Sequence, residues 1–477
     1  MINRPKTIIT TDMEVDDMNS LIHLCLFLDQ VDLKGVIYTS SQYHFNGDGI
    51  HTLKQVTPHY RTKGNAAWES EEPVANGNTE AGELKQYRPM ELGWIESLWD
   101  NEYRDAYQKL SRHSEYFPTP EYLLSITKYG NIDFEGDVTK VTEGSELIKE
   151  EILNTNEDLY LQSWGGCNTI VRALMSIYEE YHDKPKWDEI YKHVCDKVKI
   201  FGIINGVGQD CSWLDHGQKL FPDLKPLSCE FYYGIYFSSR IMQEDCIDMF
   251  QADWLKKNIK FDHGPLMSKY FLFGDGSYYK GEPDKYQFGI HPVIDWRNHG
   301  YPLTEFEPYE FLGEGDSCTY VQLFDVGLRG LQNHSYGTLL GKIFEDGSQK
   351  EPNKNPYNPF IKGYQEEWAV RADWCVKDYD DCVHVPEIET GDKDLYVRSG
   401  ETVTLYAKTQ GDITSEKWVW LKDYSSYKGS NEIAFSNNKF TVPEDAEAGD
   451  YFNVIYKVVA GKEKRITRYA QFIIHVV

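Results

Sequence analysis

"TIITTDMEVDDMNSLIHLCLFL", residues 7–28, places four acids, Asp12, Glu14, Asp16 and Asp17, between a β-branched run and an apolar helical one. "KTIIT" reads as a strand, and "MNSLIHLCLFLDQ" as a helix with Leu21, Leu24, Cys25 and Leu28 on one face. The acids therefore stand where a strand hands over to a helix. In an open parallel sheet, that carboxyl end is where ligands bind. Acids also favour helix N-termini, so capping accounts for one of them without further function. Three carboxylates converging there exceed what a cap requires, and they raise one another's pKa unless a cation neutralises them. All-oxygen ligands point to calcium or magnesium rather than zinc. Calcium, which accepts about six to eight oxygens in flexible geometry, is the expected ion. A phosphatase of the aspartyl-phosphate type needs D-x-D, but here the second acid of that pair is Glu14.

The alternation continues outward from this stretch. "LKGVIYTSS", "DLYLQSW" and "KVKIFGI" read as strands, and "IVRALMSIYEEYH" as a helix. Strands separated by helices predict βαβ units around a mostly parallel, Rossmann-type sheet. Residues 40–130 and 210–310 read as irregular, aromatic insertions of the kind that shape a cleft. "EEWAVRADWC" reads as helical, and the boundary falls near residue 384. The expected domains are thus an α/β domain over 1–383 and a second one over 384–477. In the latter, "DLYVRSGETVTLYAKT", "SEKWVWLKDY" and "RITRYAQFIIHVV" alternate with period two, the pattern of an immunoglobulin-like β-sandwich.

Two further stretches carry candidate chemistry. "SWGGCNT" (163–169) follows a strand and opens a helix; its glycines permit a sharp turn that can aim a carbonyl at a cation, or simply a turn. "FLGEGDSCTYVQLF" (311–324) carries Glu314 and Asp316 around a glycine, and by itself is an ordinary acidic loop.

The bulk composition narrows the classes. A net charge of −27 over 477 residues argues against nucleic acid and against an anionic membrane surface as partners. No apolar run reaches bilayer length. Nine scattered cysteines without a CxxC pair indicate neither a zinc site nor a full disulfide framework; Cys375 and Cys382 are close enough to pair, with buried thiols the preferred reading.

These motifs together resemble the nucleoside hydrolases, whose signature D-x-x-x-D-D reads here as Asp12-Met13-Glu14-Val15-Asp16-Asp17. "WGGCNTIVRAL", "EGDSCTYVQLF", "RADWC" and "ITRYAQFIIHVV" are similar to a bacterial branch with a C-terminal immunoglobulin-like domain, often labelled cellulose-binding. The resemblance implies a calcium-dependent hydrolase of an N- or O-glycosidic bond in a furanose-like sugar with a cis-diol. Asp12 would be calcium ligand and general base, activating the water that attacks the anomeric carbon, and Asp16 would hold the diol. Asp17, the main-chain carbonyl of Asn168 and the distant Asp316 would complete the metal site. The departures lie on the leaving-group side. Thr10 stands where the family has an extra aspartate, Met13-Glu14 replace a Pro-Gly pair, and Gly315 replaces a histidine that protonates purine leaving groups. "TSSQYHF" replaces an asparagine-bearing loop. Glu14, Gln42 and Glu314 are the remaining candidate substrate contacts, with Tyr43, His44, Gln209 and Asp210 also in reach of that role.

The expected partner is a small glycoside or oligosaccharide, and self-association, common in the family, is a further expectation. The immunoglobulin-like module suggests a secreted or periplasmic protein in its mature form, since "MINRPKTIITTD" reaches its first strand too soon for a signal peptide; a cytosolic location is the other reading. Two other functions fit the sequence. One is a carbohydrate-binding protein without turnover, using Trp418, Trp420, Tyr424 and Tyr427 as stacking rings; the other is a scaffold that calcium merely stabilises.

Overall fold

The computed structural model describes residues 4–56, 85–202, 209–224, 226–228, 238–242, 244–279, 306–321, 323–328, 361–422, 425–429 and 435–477. They fall into two compact units, one reaching Leu323 and one that includes Phe324–Leu328 and everything described from Ile361 onward. The helix at "EEWAVRADWC" thus lies in the second unit, whereas the sequence reading placed it in the first.

The first unit is built on six strands: Lys6–Thr11 (β1), Asp32–Tyr38 (β2), Thr127–Tyr129 (β3), Leu159–Ser163 (β4), Val198–Gly202 (β5) and Leu227–Ser228 (β6). All neighbours pair in parallel, in the order β3-β2-β1-β4-β5-β6. This is the doubly wound order, and the strand sequence reverses direction between β1 and β4. There the crossovers leave to opposite faces and open a crevice at the carboxyl ends. β1 and β4 are buried almost throughout, as strands covered on both faces must be, which is why their apolar runs hardly alternate.

Helix Val15–Cys25 (α1) leaves β1 after only three residues, and all eleven of its residues are buried. An amphipathic stripe was expected, but the polar residues on this helix, Asn19, Ser20 and His23, are buried too, because a distant segment covers their face (below). Helices Glu143–Asn154 (α2) and Asn168–Tyr181 (α3) pack on the sheet through Ile148, Ile152, Ile170, Val171, Leu174 and Ile177. The stretch read as irregular up to residue 130 contains helices Trp94–Leu98, Arg104–His113 and Pro120–Ile126. The last has a readable start: the Thr119 hydroxyl accepts the Tyr122 N–H at 3.2 Å, and Pro120 occupies the first turn. Residues 238–268 likewise hold several short helices.

The second unit contains helix Ile361–Trp374 and a C-terminal β-sandwich. Its largest sheet joins Ile413–Trp420, Tyr451–Ala460, Ile466–Val476 and Asp394–Val397 in that order, and two smaller sheets complete it. Phe440, Phe452, Val454, Phe472 and Ile474 form its core, with Trp418 and Trp420 packed against them. Both tryptophans face inward, as the spacing in "WVW" requires: Trp418 lies 4.5 Å from Tyr456 and 5.4 Å from Phe472, ring to ring. Tyr427 is buried, its hydroxyl donating to Asp445 at 2.8 Å. Tyr427 is thus buried and the two tryptophans are partly buried against this core, while Tyr424 lies outside the described residues. Inside this unit Glu367 is buried between Arg371 and Arg468, at 2.8 and 2.6 Å. Cys375 and Cys382 are both free thiols. Among the described residues, no helix is long and apolar enough to cross a membrane.

Candidate functional site

The acids of the opening stretch sit at the mouth of the crevice between β1 and β4. Asp12 is the first residue after β1, and Asp16 and Asp17 fill the first turn of α1. Asp316 arrives from far along the chain, immediately before helix Ser317–Val321 (α4). Oxygens of Asp16, Asp17 and Asp316 lie within 4.8 Å of one another, the one such group of acid, histidine or cysteine side chains among the described residues. Asp12 is fully buried, Asp316 and Asp17 are 1% and 2% exposed, and Asp16 is the most open at 9%.

Burying so many acids has an electrostatic cost that appears in their proton affinities. Burial pushes Asp12 up to about 6, against the pull of His44, Ser41 and Arg88 nearby. Burial drives Asp17 well above the ordinary carboxylate range, and the charges of Asp316, Asp12 and Asp16 add to it. Asp316 is raised in the same way, by burial and then by Asp16, while a hydrogen bond with the Asp17 carboxyl offsets part of the rise. With no cation present, these groups can relieve their repulsion only by sharing protons.

The hydrogen bonding leaves room for one. Neither carboxylate oxygen of Asp12, nor Oδ1 of Asp316, has a hydrogen bond of regular geometry, although all three are buried. Such groups are costly unless a partner satisfies them. Hard oxygen donors at this spacing fit a divalent cation such as calcium. The remaining acid contacts are positional. The Thr11 hydroxyl donates to Asp17 Oδ1 at 2.5 Å and accepts the Met13 N–H at 3.1 Å. The Gly315 N–H donates to Asp16 Oδ2 at 3.2 Å.

The backbone after Asp12 is unusual. Met13 is buried and holds φ of 64°, a left-handed conformation costly for a residue with a side chain. Proline cannot adopt it. The glycines of "SWGGCNT" serve close approach. A Cβ on Gly165 would lie 2.7 Å from the Asp12 Cβ, and one on Gly166 would lie 2.2 Å from the Ser40 carbonyl.

The remaining sequence candidates lie in differing surroundings. Glu314 does not face the crevice. It is fully buried against α1, accepting from His23 Nδ1 at 2.9 Å, from Ser317 at 2.5 Å and from the Tyr270 hydroxyl. Its carboxylate is committed to these three donors. Glu14 pairs with Arg88 at 3.1 Å beside Asp12. Gln42 is buried in the loop after β2, its N–H bonded to the Gln209 carbonyl at 3.0 Å and its Oε1 without a hydrogen bond. His44 Nδ1 contacts the Arg88 carbonyl at 2.7 Å. Asn168 opens α3, and its side chain is held by Thr39, Ser40 and Asn131. Asp210 caps that helix by accepting the Asn168 N–H at 3.0 Å, with its pKa raised to about 6 by burial. Thr11, Asn19 and Ser41 belong to the site's surroundings and lie within the quoted stretches without having been singled out, whereas Arg88 lies in no motif.

A family model described as "Cellulose-binding Sde182, nucleoside hydrolase-like domain" matches residues 6–342, a span that contains every residue of this cluster. No curated protein sequence matches the chain. Among solved structures, a nucleoside hydrolase-related hypothetical protein from Saccharophagus degradans, described as associated with carbohydrate metabolism, superposes with a TM-score of 0.64 at 20% identity, covering 100% of both chains. An endo-beta-1,4-mannanase from Thermotoga petrophila aligns at 9% identity with a TM-score of 0.14 over 100% of this chain and 98% of that one. The acid crevice between β1 and β4 and the family match over most of the chain agree, and the protein belongs to the family of cellulose-binding Sde182 proteins with a nucleoside hydrolase-like domain.

Proposed function

We propose that this site holds a calcium ion and hydrolyses an N- or O-glycosidic bond of a furanose-like sugar bearing a cis-diol. The observation that carries the proposal is the convergence of Asp16, Asp17 and Asp316, with buried acid oxygens that lack hydrogen bonds beside them. Asp12, Asp17 and Asp316 would hold the ion together with the main-chain oxygen of Asn168. Calcium, when bound, supplies the positive field that makes a neighbouring water more acidic and attracts the sugar hydroxyls.

The chain's own groups do the rest. Asp12 takes the proton of the attacking water: neither of its oxygens has a hydrogen bond of regular geometry, and His44, Ser41 and Arg88 favour its ionised form. Asp16, the most exposed of the four, meets the diol. As the bond breaks, the sugar becomes oxocarbenium-like, and the ring of carboxylates stabilises its positive charge. Burial keeps bulk water away, so that field is only weakly screened.

The test is Asp12→Asn assayed for release of reducing sugar from ribosides. Turnover should fall about 10²–10⁴-fold, the usual contribution of a general base, while stabilisation by calcium largely persists. Unchanged turnover would overturn the assignment. A second reading, carbohydrate binding without turnover, is favoured by the family's description as cellulose-binding. It predicts that the protein is retained on cellulose, before and after Asp12→Asn, and releases no reducing sugar from any riboside.

A further inference from the structure

We infer that Trp164 is a positioning residue for Asp316, acting through the hydroxyl of Thr319, so that one turn, the one after β4, holds both Asp12 and Asp316. The inference rests on the reading of the acid cluster as a cation site and adds the residues that set its geometry.

Trp164 is the first residue after β4, and its main-chain N–H donates to the Thr10 carbonyl at 2.8 Å, near the end of β1. Its side chain is fully buried, and the indole N–H is shared between Thr319 Oγ1 at 2.8 Å and Gln162 Oε1 at 3.2 Å. The Thr319 hydroxyl lies 2.7 Å from two acceptors, Gln162 Oε1 and the Asp316 carbonyl, and shares its one proton between them. The same carbonyl accepts the Thr319 N–H at 2.9 Å. Gln162 is fixed in turn. Its amide donates to the Thr7 hydroxyl at 2.7 Å, and that hydroxyl donates to the Tyr160 carbonyl at 3.0 Å. The indole thus reaches the peptide that follows Asp316 through a chain of bonds anchored in both central strands.

Packing alone does not call for this polarity. Gln162, Trp164 and Thr319 are all fully buried, and buried polar groups are costly unless each finds a well-placed partner. An apolar contact would hold α4 on the sheet as firmly, but hydrogen bonds fix direction as well as distance. What they fix here is the peptide plane beside Asp316, and with it the direction of the Asp316 side chain. Oδ1 of that side chain is buried without a hydrogen bond of regular geometry, next to Asp16 and Asp17. The residue after Trp164 serves the other half of the site: a Cβ on Gly165 would lie 2.7 Å from the Asp12 Cβ. Adjacent residues of "SWGGCNT" therefore set two acids that are remote in sequence.

The experiment titrates the full chain with calcium alone, by calorimetry, in wild type and four variants. Thr319→Val keeps the shape and removes the hydroxyl, leaving the indole its bond to Gln162. It should bind calcium about five- to tenfold more weakly, the usual effect of one buried hydrogen bond. Thr319→Ser keeps the hydroxyl and loses a buried methyl, so it should melt lower yet bind calcium within about twofold of wild type. Trp164→Phe should weaken calcium binding too. The double variant Trp164→Phe/Thr319→Val should stay within about twofold of the weaker single one, because both changes break one link. Wild-type affinity in Thr319→Val overturns the inference, and so does equal weakening in Thr319→Ser. Effects that multiply in the double variant overturn the claim that Trp164 acts through Thr319. If wild type binds no calcium, the cation reading fails, and crystal structures decide the positioning. An Asp316 carboxylate displaced in Thr319→Val but not in Thr319→Ser upholds it, and any other pattern overturns it.

Discussion

The Asn19 side chain donates to the Gly313 carbonyl at 2.9 Å, across 294 positions of sequence. The same amide donates to the Phe271 carbonyl at 3.0 Å and accepts the Phe271 N–H at 2.8 Å. One buried side chain on α1 thereby fixes the loop that delivers Asp316 to Asp17. Asn19→Ala removes three buried hydrogen bonds and leaves their main-chain partners unsatisfied. We expect a loss of about 2–4 kcal/mol in urea unfolding, together with a higher calcium midpoint. A variant as stable as wild type would show that the loop is held by other contacts.

The turn after β4 should tolerate no Cβ. Gly166→Ala would drive a methyl group into the Ser40 carbonyl and Gly165→Ala would drive one into Asp12. Backbone cannot yield as a side-chain tip can, so Gly166→Ala is expected to cost more than about 2 kcal/mol, in the upper range of point substitutions. Gly165→Ala should lower turnover more than stability, because the residue it pushes is Asp12, the proposed base.

Proton and calcium should compete. The pKa of Asp12 in the folded state is pushed from 3.8 up to about 6, and Asp17 and Asp316 are likewise raised well above the ordinary carboxylate value. The folded state therefore binds more protons than the unfolded chain above pH 4. Stability without metal should fall as pH rises from about 4 through 6 and beyond, the opposite of a salt-bridged carboxylate. Melting temperatures measured in chelator at pH 5 and pH 7.5 should show the drop. Calcium should restore more stability at pH 7.5 than at pH 5. A melting temperature in chelator that is flat or rises across this range would contradict the burial of ionisable acids at the site.

In the second unit, Glu367 behaves in the opposite sense. Burial alone would raise its pKa, but Arg468 and then Arg371 outweigh it and hold the carboxyl at about 2. Its contribution to stability is present above pH 4.5 and is lost as pH falls toward 2. Glu367→Gln leaves two guanidinium groups without their counter-charge, a change worth about 3–5 kcal/mol. Thermal unfolding of the full chain at pH 7 should show one transition move down while the calcium-sensitive one stays in place.

The part of the site that is local in sequence was legible there. Asp12, Asp16 and Asp17 follow a β-branched strand, and the handover from strand to helix fixes their location whatever else the chain does. Asp316 was reachable only through resemblance, because nothing in "GEGDS" separates it from its neighbour Glu314. The two acids diverge by burial partner: Glu314 meets His23 and Tyr270, whereas Asp316 meets other acids. The glycines at 165 and 166 were read as a turn able to aim a carbonyl; they also stand in close contact with Asp12 and Ser40, and contact between distant segments is invisible to local pattern. Trp418 and Trp420 show the reverse case. Period-two alternation put both on one face, and that face is the core.

Asp16 and the amide that holds it are 299 positions apart. At a synthesis rate of roughly 5–20 residues per second, a growing chain carries its first acids for about 15–60 s before their counterpart has even been translated. During that interval the N-terminal aspartates have neither Gly315 nor Asp316 to arrange them, so a nascent chain or a truncated product ending before this loop has no enclosed ion cage. Capture of the proposed ion would therefore belong among the last events in the maturation of this unit.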